Sequence, residues 1–443
     1  MRRSRGGAEE AGLSLRIAAI CLGLVALAAL ACERSAEPVI ACEAVGPARP
    51  ICGFQNPEDL ELLPDGRGLL VSEFGAMEGG RPGAIAHLDL ASEARSVLYR
   101  GGDGGTQTPG WGDPACPGPP SELSPHGIHL ARRPDGALQL LAVNHAGRES
   151  VELFEVTARP PQGSRAARRS RAESEGPGRA ARRSRAESEG PSRAARRSRA
   201  ESEGPSRAAR RSRAESERPE SEGPESGAWS VAWRGCAVAP EGSWLNDVVA
   251  LPEGGFLATN MLPRRGRIGQ ILEYAKAAVL GLRTGFALEW QPGRGFAPLP
   301  GTEVAFANGI ALSADGRTIF LNASIGGKVH RIDRATGAAL GSAKVPGPDN
   351  STWAPDGRLL VASFVGPIWE TLTCDGLERG ACPIAFEIVA VDPQTLATET
   401  LYRGSGAPMG GGTVGLRVGD ELFIGSFAGD RILRVKLGGR PRS

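Results

Sequence analysis

Oxygen-bearing residues recur in adjacent pairs along this sequence, each pair a short way ahead of a turn. They are Glu58 and Asp59 in "NPEDLELLPDG", Asn246 and Asp247 in "WLNDVVALPEG", and Asp349 and Asn350 in "GPDNSTWAPDG"; Asn308 in "FANGIALSADG" is a single element of the same kind. Carboxylate and carboxamide oxygens, with no cysteine or histidine among them, are the donor set of a hard cation, chiefly calcium. One such pair alone would be read as capping backbone amides near a turn. Recurrence at the same phase of several units argues for a shared ion. Alternation along an extended chain would let a pair offer one oxygen to the mouth of a channel and another deeper inside.

Two of the five histidines join this pattern. In "SPHGIHLARRPDGALQLLAVNHAGRESVELFEV", His126 stands ahead of its turn in the phase of the acidic pairs, and His145 ends the strand that follows the turn. Near neutral pH an imidazole can take a proton from water. A calcium ion can polarise a carbonyl and stabilise the oxyanion that develops. Together they would hydrolyse an ester without a nucleophilic serine. His87, His129 and His330 carry no such phase and are read as packed residues.

The elements that must position these groups are short strands joined by tight turns. "LLPDGRGLLVSEFG", "RRPDGALQLLAVNHAG", "ALPEGGFLATN", "LSADGRTIFLNASIGG", "WAPDGRLLVASFVG" and "LRVGDELFIGSFAGDRILRVKL" each place an acidic residue and glycine, or their reverse, before an apolar strand. Glycine accepts the positive φ that such hairpin turns require. The units recur roughly every 40 to 70 residues once an insert is set aside, about the length of one four-stranded blade. Long helical patterns are scarce, so the expected fold is all-β, a six-bladed β-propeller with its chemistry at the channel mouth. The exception is "RIGQILEYAKAAVLGLRTGF", whose apolar spacing predicts one helix lying over a loop.

The insert is "SRAARRSRAESEGP", repeated from Ser164 with a period of about fourteen residues. It is too poor in apolar residues to offset its ordering entropy, so a disordered, arginine-rich surface loop is expected over residues 163–227. Removing these arginines turns a formal charge of +2 into a mildly acidic remainder, which argues against nucleic acid as a partner. The expected layout is an export signal over 1–31, a tether over 32–50, and propeller sequence over 51–162 and 228–443.

The start, "MRRSRGGAEEAGLSLRIAAICLGLVALAALAC", has arginines, an apolar run of roughly 15 residues, then small residues before Cys32. Cleavage after Ala31 and lipidation of Cys32 both fit this layout. Of the eight cysteines, loss of Cys21 and lipidation of Cys32 would leave six, an even number suited to disulfides in an oxidising compartment. Cys374 and Cys382 could close a local loop; the remaining pairing is open, since six cysteines allow fifteen connectivities. The expectation is a monomer in the bacterial periplasm or cell envelope, touching the membrane only through a lipid at Cys32.

With these residues assembled, the sequence resembles the paraoxonase family of calcium-dependent arylesterases and lactonases, and more distantly the gluconolactonase-like propellers. The segments that carry the resemblance are "PEDLELLPDG", the "PHGI…VNH…VELF" stretch, "LNDVVALPEGGFLATN", "FANGIALSADGRTIFLNAS" and "PDNSTWAPDGRLLVASF". The resemblance implies two calcium ions in the central tunnel. Glu58, Asn246, Asn308, Asp349 and Asn350 would hold the catalytic ion, and Asp59, Asp247 and the carbonyl of Ile128 the structural one. His126 would activate water with His145 assisting, and the substrate would be a small ester or lactone. The chain departs from the family in having no cysteine after Cys382 to join its two ends, and in carrying "MLPRRGRIGQ" where the animal enzymes place aromatic residues. Two other readings stand beside it: a non-catalytic, calcium-stiffened binding platform, and a sugar lactonase with an acidic base.

Overall fold

Apolar residues in this chain fall on both faces of its strands, so each small sheet must be covered on both sides. Six sheets arranged radially satisfy that requirement. The computed structural model describes residues 36–438 apart from 76–80, 159–228, 367, 375 and 378. The export signal, Cys32 and the arginine-rich repeats expected from the sequence lie outside the described residues.

Each sheet has four antiparallel strands, and in five of the six they follow chain order from the channel outward. Blade 1 spans residues 57–100, blade 2 spans 125–158 with 229–238, blade 3 spans 245–298, blade 4 spans 307–344 and blade 5 spans 348–404. Blade 6 takes Gly412–Val418, Glu421–Ser426 and Arg431–Lys436, and its outermost strand is Ala48–Cys52 from the other end of the chain. Pairing of Ala48 with Val435 through Cys52 with Arg431 therefore closes the ring without a disulfide between the ends. Among the described residues the disulfides are Cys42–Cys52, Cys116–Cys236 and Cys374–Cys382. No helix among the described residues is long and apolar enough to cross a membrane.

The core is divided like the sheets. One apolar cluster fills each gap between neighbouring blades, for example Leu70, Ile85, Leu140, Phe154 and Trp233 between blades 1 and 2, and Leu360, Ile388, Leu422 and Ile424 between blades 5 and 6. Second strands such as Gly68–Glu73 and Leu359–Phe364 are buried along their whole length, which is why they read as continuous apolar runs.

The innermost strands of neighbouring blades lie side by side around the channel, and side chains stitch them together at every gap. Ile128 N–H donates to Asp59 Oδ2 at 2.8 Å, and Ala250 N–H donates to His129 Nδ1 at 3.2 Å. Ile310 N–H donates to Asp247 Oδ2 at 2.8 Å, and between blades 4 and 5 the Asn322 amide, from the second strand of blade 4, donates to the carbonyl of Asp349. Thr352 Oγ1 donates to Gly415 O at 2.5 Å, and Thr413 Oγ1 to Glu58 O at 2.7 Å, which completes the circuit. Backbone groups that no ladder reaches thus find partners across each boundary.

The helix predicted near residue 270 is Arg267–Leu280, ended by Gly281 at φ 62°. It sits between the second and third strands of blade 3, at the end of the propeller where the innermost strands begin.

Candidate functional site

Every innermost strand begins with a register shift against its neighbour. In blade 3, Leu245 pairs with Asn260 and Val248 with Ala258, so Asn246 and Asp247 together face one residue. His126 with Gly127, Asn308 with Gly309, and Asp349 with Asn350 occupy the same two-against-one position in blades 2, 4 and 5. Glu58 and Thr413 stand at the shifts in blades 1 and 6. The adjacent pairs are therefore bulges, not stretches of regular alternation. A bulge re-aims its side chains and strengthens the local twist, which lets neighbouring residues serve one end of the channel.

The Asp-Gly and Glu-Gly turns lie at the opposite ends of these strands, with Gly66, Gly136, Gly254, Gly316 and Gly357 all at positive φ. Turn and site are thus separated by one strand length, the origin of the constant phase in the sequence.

Several of the expected ligands meet directly. Asn350 Nδ2 donates to Glu58 Oε1 at 2.7 Å, although 292 positions separate them in the chain. Asn308 adjoins the Asp349 carboxyl and favours its charged form. Asn246 Nδ2 lies 3.2 Å from the Met261 sulfur, which turns its oxygen away from that contact. Glu58 Oε2 and the Oδ1 atoms of Asn246, Asn308 and Asn350 are buried without a hydrogen-bond partner. Four orphaned acceptor oxygens from four blades form a costly arrangement in an apolar setting.

Electrostatics sharpen the point. Burial pushes the Asp349 carboxyl well above its usual range, with Glu58 adding to the shift. Asp59 is raised in the same way, by burial first and then by Asp247 and Glu58. Asp247 is pushed up to about 7, mainly by burial. A shaft lined with desolvated carboxylates and unsatisfied amide oxygens fits a hard divalent cation. Among the described residues no group of three or more histidine, cysteine, aspartate and glutamate side chains is arranged for a metal; three of the four orphaned oxygens are amide. Asp59 and Asp247 differ from the orphaned set. Their oxygens already accept N–H groups, from Leu60 and Ile128 and from Val248 and Ile310.

The histidines adjoin this cluster. His126 Nε2 lies 3.5 Å from Glu58 Oε1, and its Nδ1 lies 2.9 Å from His145 Nε2. His145 Nδ1 faces the Glu149 carboxylate at 3.1 and 3.0 Å. Burial lowers the His145 pKa, and Glu149 partly offsets that shift. Phe74 stacks on the His126 ring at 4.8 Å, and both histidines are buried. Asn144 sets the turn into His145: its side chain accepts Ser124 N–H at 2.8 Å and donates to Ala146 O at 2.9 Å. The remaining histidines lie elsewhere. His87 is packed against Gly68, His129 takes Ala250 N–H, and His330 lies on the third strand of blade 4.

Glu149, Arg264, Phe74, Met261 and Tyr274 were not singled out from the sequence. Tyr274, on the helix, packs against Phe306 with ring centroids 5.2 Å apart, and its hydroxyl is raised by burial and by Asp349. Glu149 sits four residues after His145 in "NHAGRE", where an acidic residue in a hairpin turn gives no signal of its own.

No protein-family model matches the sequence, and no curated protein does. Solved propellers do match it. A gluconolactonase from Xanthomonas campestris is 13% identical over 91% of this chain and 96% of its own, with a TM-score of 0.43. The calcium-binding protein regucalcin from Agrobacterium tumefaciens is 14% identical over 92% and 96%, with a TM-score of 0.42. A periplasmic gluconolactonase from Pseudomonas aeruginosa is 14% identical over 86% of each chain, with a TM-score of 0.39. These likenesses are weak in both identity and superposition, and the functional reading rests on the site's own geometry.

Proposed function

We propose that the protein is a calcium-dependent hydrolase of carboxylic esters and lactones, an arylesterase or lactonase working at the channel mouth. The observation that carries this reading is a set of four orphaned acceptor oxygens from four blades, with Glu58 among them beside a hydrogen-bonded pair of buried imidazoles. Glu58, Asn246, Asn308, Asp349 and Asn350 would hold the catalytic calcium, and Asp59, Asp247 and the carbonyl of Ile128 a second, structural one. When bound, calcium supplies polarisation of the substrate carbonyl and stabilisation of its developing negative charge.

The chain's own groups supply the rest. His126 stands beside Glu58, where its Nε2 can take the proton of an attacking water. His145, at 2.9 Å from the other ring nitrogen, can take up the proton that His126 releases there. Phe74 covers one face of the His126 ring and keeps bulk water from it. The paraoxonase resemblance in "PHGI…VNH…VELF" points the same way. Three disulfides suit an oxidising compartment, so export to the bacterial envelope, with a lipid at Cys32, belongs to this reading.

Hydrolysis of phenyl acetate and a panel of lactones, followed with calcium and with excess chelator, tests it. Activity should vanish with chelator and return with calcium. Asp349→Ala should abolish that activity together with the rise in melting temperature that calcium gives the parent protein, through loss of ligand linkage. A calcium-stabilised protein that hydrolyses none of these substrates would instead be a binding platform. Chelator-resistant hydrolysis would defeat the metal mechanism.

A further inference from the structure

We propose that Glu149 is the positioning residue of the histidine pair, held to that task by Arg264; the inference rests on the hydrolase reading above. The Glu149 carboxylate receives donors from three directions. His145 Nδ1 reaches both of its oxygens, Leu245 N–H donates to Oε1 at 2.6 Å, and Arg264 donates to Oε2 at 2.7 Å. Arg264 is in turn fixed through its backbone N–H, which donates to Gly242 O at 2.8 Å.

A carboxylate can only accept hydrogen bonds, so the hydrogen on neutral His145 must sit on Nδ1. The lone pair of His145 is then on Nε2, and the contact at 2.9 Å requires His126 to donate from its own Nδ1. That leaves the His126 lone pair on Nε2, on the side facing Glu58. Without Glu149 nothing opposes the arrangement that the Glu58 carboxylate beside Nε2 favours, in which His126 presents a hydrogen where the reaction needs an acceptor. Leu245 directly precedes Asn246 and Asp247, so the same carboxylate ties the histidine loop of blade 2 to the bulge of blade 3. Glu149 bonds His145, Leu245 and Arg264 and none of the proposed calcium ligands; it acts through His145.

The test compares Glu149→Gln, Glu149→Asp and Arg264→Gln with the parent in the full-length protein. Glu149→Gln should lower kcat about tenfold or more with KM within about twofold, by analogy with loss of an orienting carboxylate in a triad. Glu149→Asp should recover part of the loss, and Arg264→Gln should show a smaller one. Nitrogen-15 spectra of histidine-labelled protein, assigned with His126→Gln and His145→Gln, should show both rings of the parent in the Nδ1–H form and Glu149→Gln with a mixture. Unchanged tautomers and kcat in Glu149→Gln would overturn the proposal. So would loss of calcium-induced thermal stabilisation in parallel with activity, since that marks a brace of the fold. If the parent hydrolyses no ester or lactone, the hydrolase reading fails while the tautomer comparison still decides whether Glu149 positions the pair.

Discussion

Blades 2 and 4 begin with the same backbone device and end with different chemistry. "PHGI" and "ANGI" place a polar residue and a glycine in the bulge, then an isoleucine whose N–H is taken by an aspartate of the preceding blade, Asp59 for Ile128 and Asp247 for Ile310. Both glycines allow close approach. A Cβ on Gly127 would lie 2.5 Å from Asp247 Oδ1, and one on Gly309 would overlap the carbonyl of Asp349. Yet blade 2 carries an imidazole backed by His145 and Glu149, while blade 4 carries an amide whose oxygen has no partner. The frame fixes where a side chain points; the residue placed on it and its neighbours decide whether that point moves a proton or awaits a cation.

The comparison is broken most severely at the glycines. Gly309→Ala should force the blade 4 bulge away from backbone that cannot yield, with about 1–3 kcal/mol of stability lost and calcium-dependent activity abolished. Gly127→Ala should do the same in blade 2, and chemical denaturation with and without calcium measures both. Conversion of His126 to glutamine makes blade 2 chemically resemble blade 4. Turnover should fall about 10²–10⁴-fold, while calcium affinity, read by titration calorimetry, stays nearly unchanged. A variant with parental lactone hydrolysis would remove this histidine from the mechanism.

A smaller effect should appear in the pH dependence of stability. Asp247 is raised to about 7 and Glu61 to about 8, both chiefly by burial. A carboxyl whose folded pKa exceeds its unfolded one binds more protons when folded, so stability falls as pH rises from the unfolded carboxylate range through the folded pKa. Calcium-free protein should therefore lose stability between about pH 4 and 8, and saturating calcium should flatten that slope. Equal slopes with and without calcium would separate these carboxyls from cation binding. The smallest effect is expected at the histidine of blade 4 itself. His330→Gln, on an outer strand, should leave turnover unchanged and stability within about 0.5 kcal/mol.

Much of this was legible in the sequence because it is local. The Asp-Gly turns, the apolar second strands and the helix near residue 270 each follow from a few consecutive residues, and the structure has them. The six-bladed ring followed from their repetition. The bulges were not legible: regular alternation was expected at Asn246–Asp247 and Asp349–Asn350, and a register shift depends on the partner strand, not on the pair. Cys374–Cys382 was suggested by its short loop, whereas Cys116–Cys236 spans 120 positions and had no local signal.

The sequence by itself determined which residues could do chemistry and at what phase of each blade they stand, since both are set by short-range turn and strand geometry. Tertiary structure alone decided which of them meet. The contact of Asn350 with Glu58, the grip of Glu149 on Leu245 and Arg264, and the closing strand Ala48–Cys52 join segments from about a hundred to nearly four hundred positions apart. Such contacts form only when burial of the apolar clusters between blades has drawn the ring together, and no local pattern encodes them.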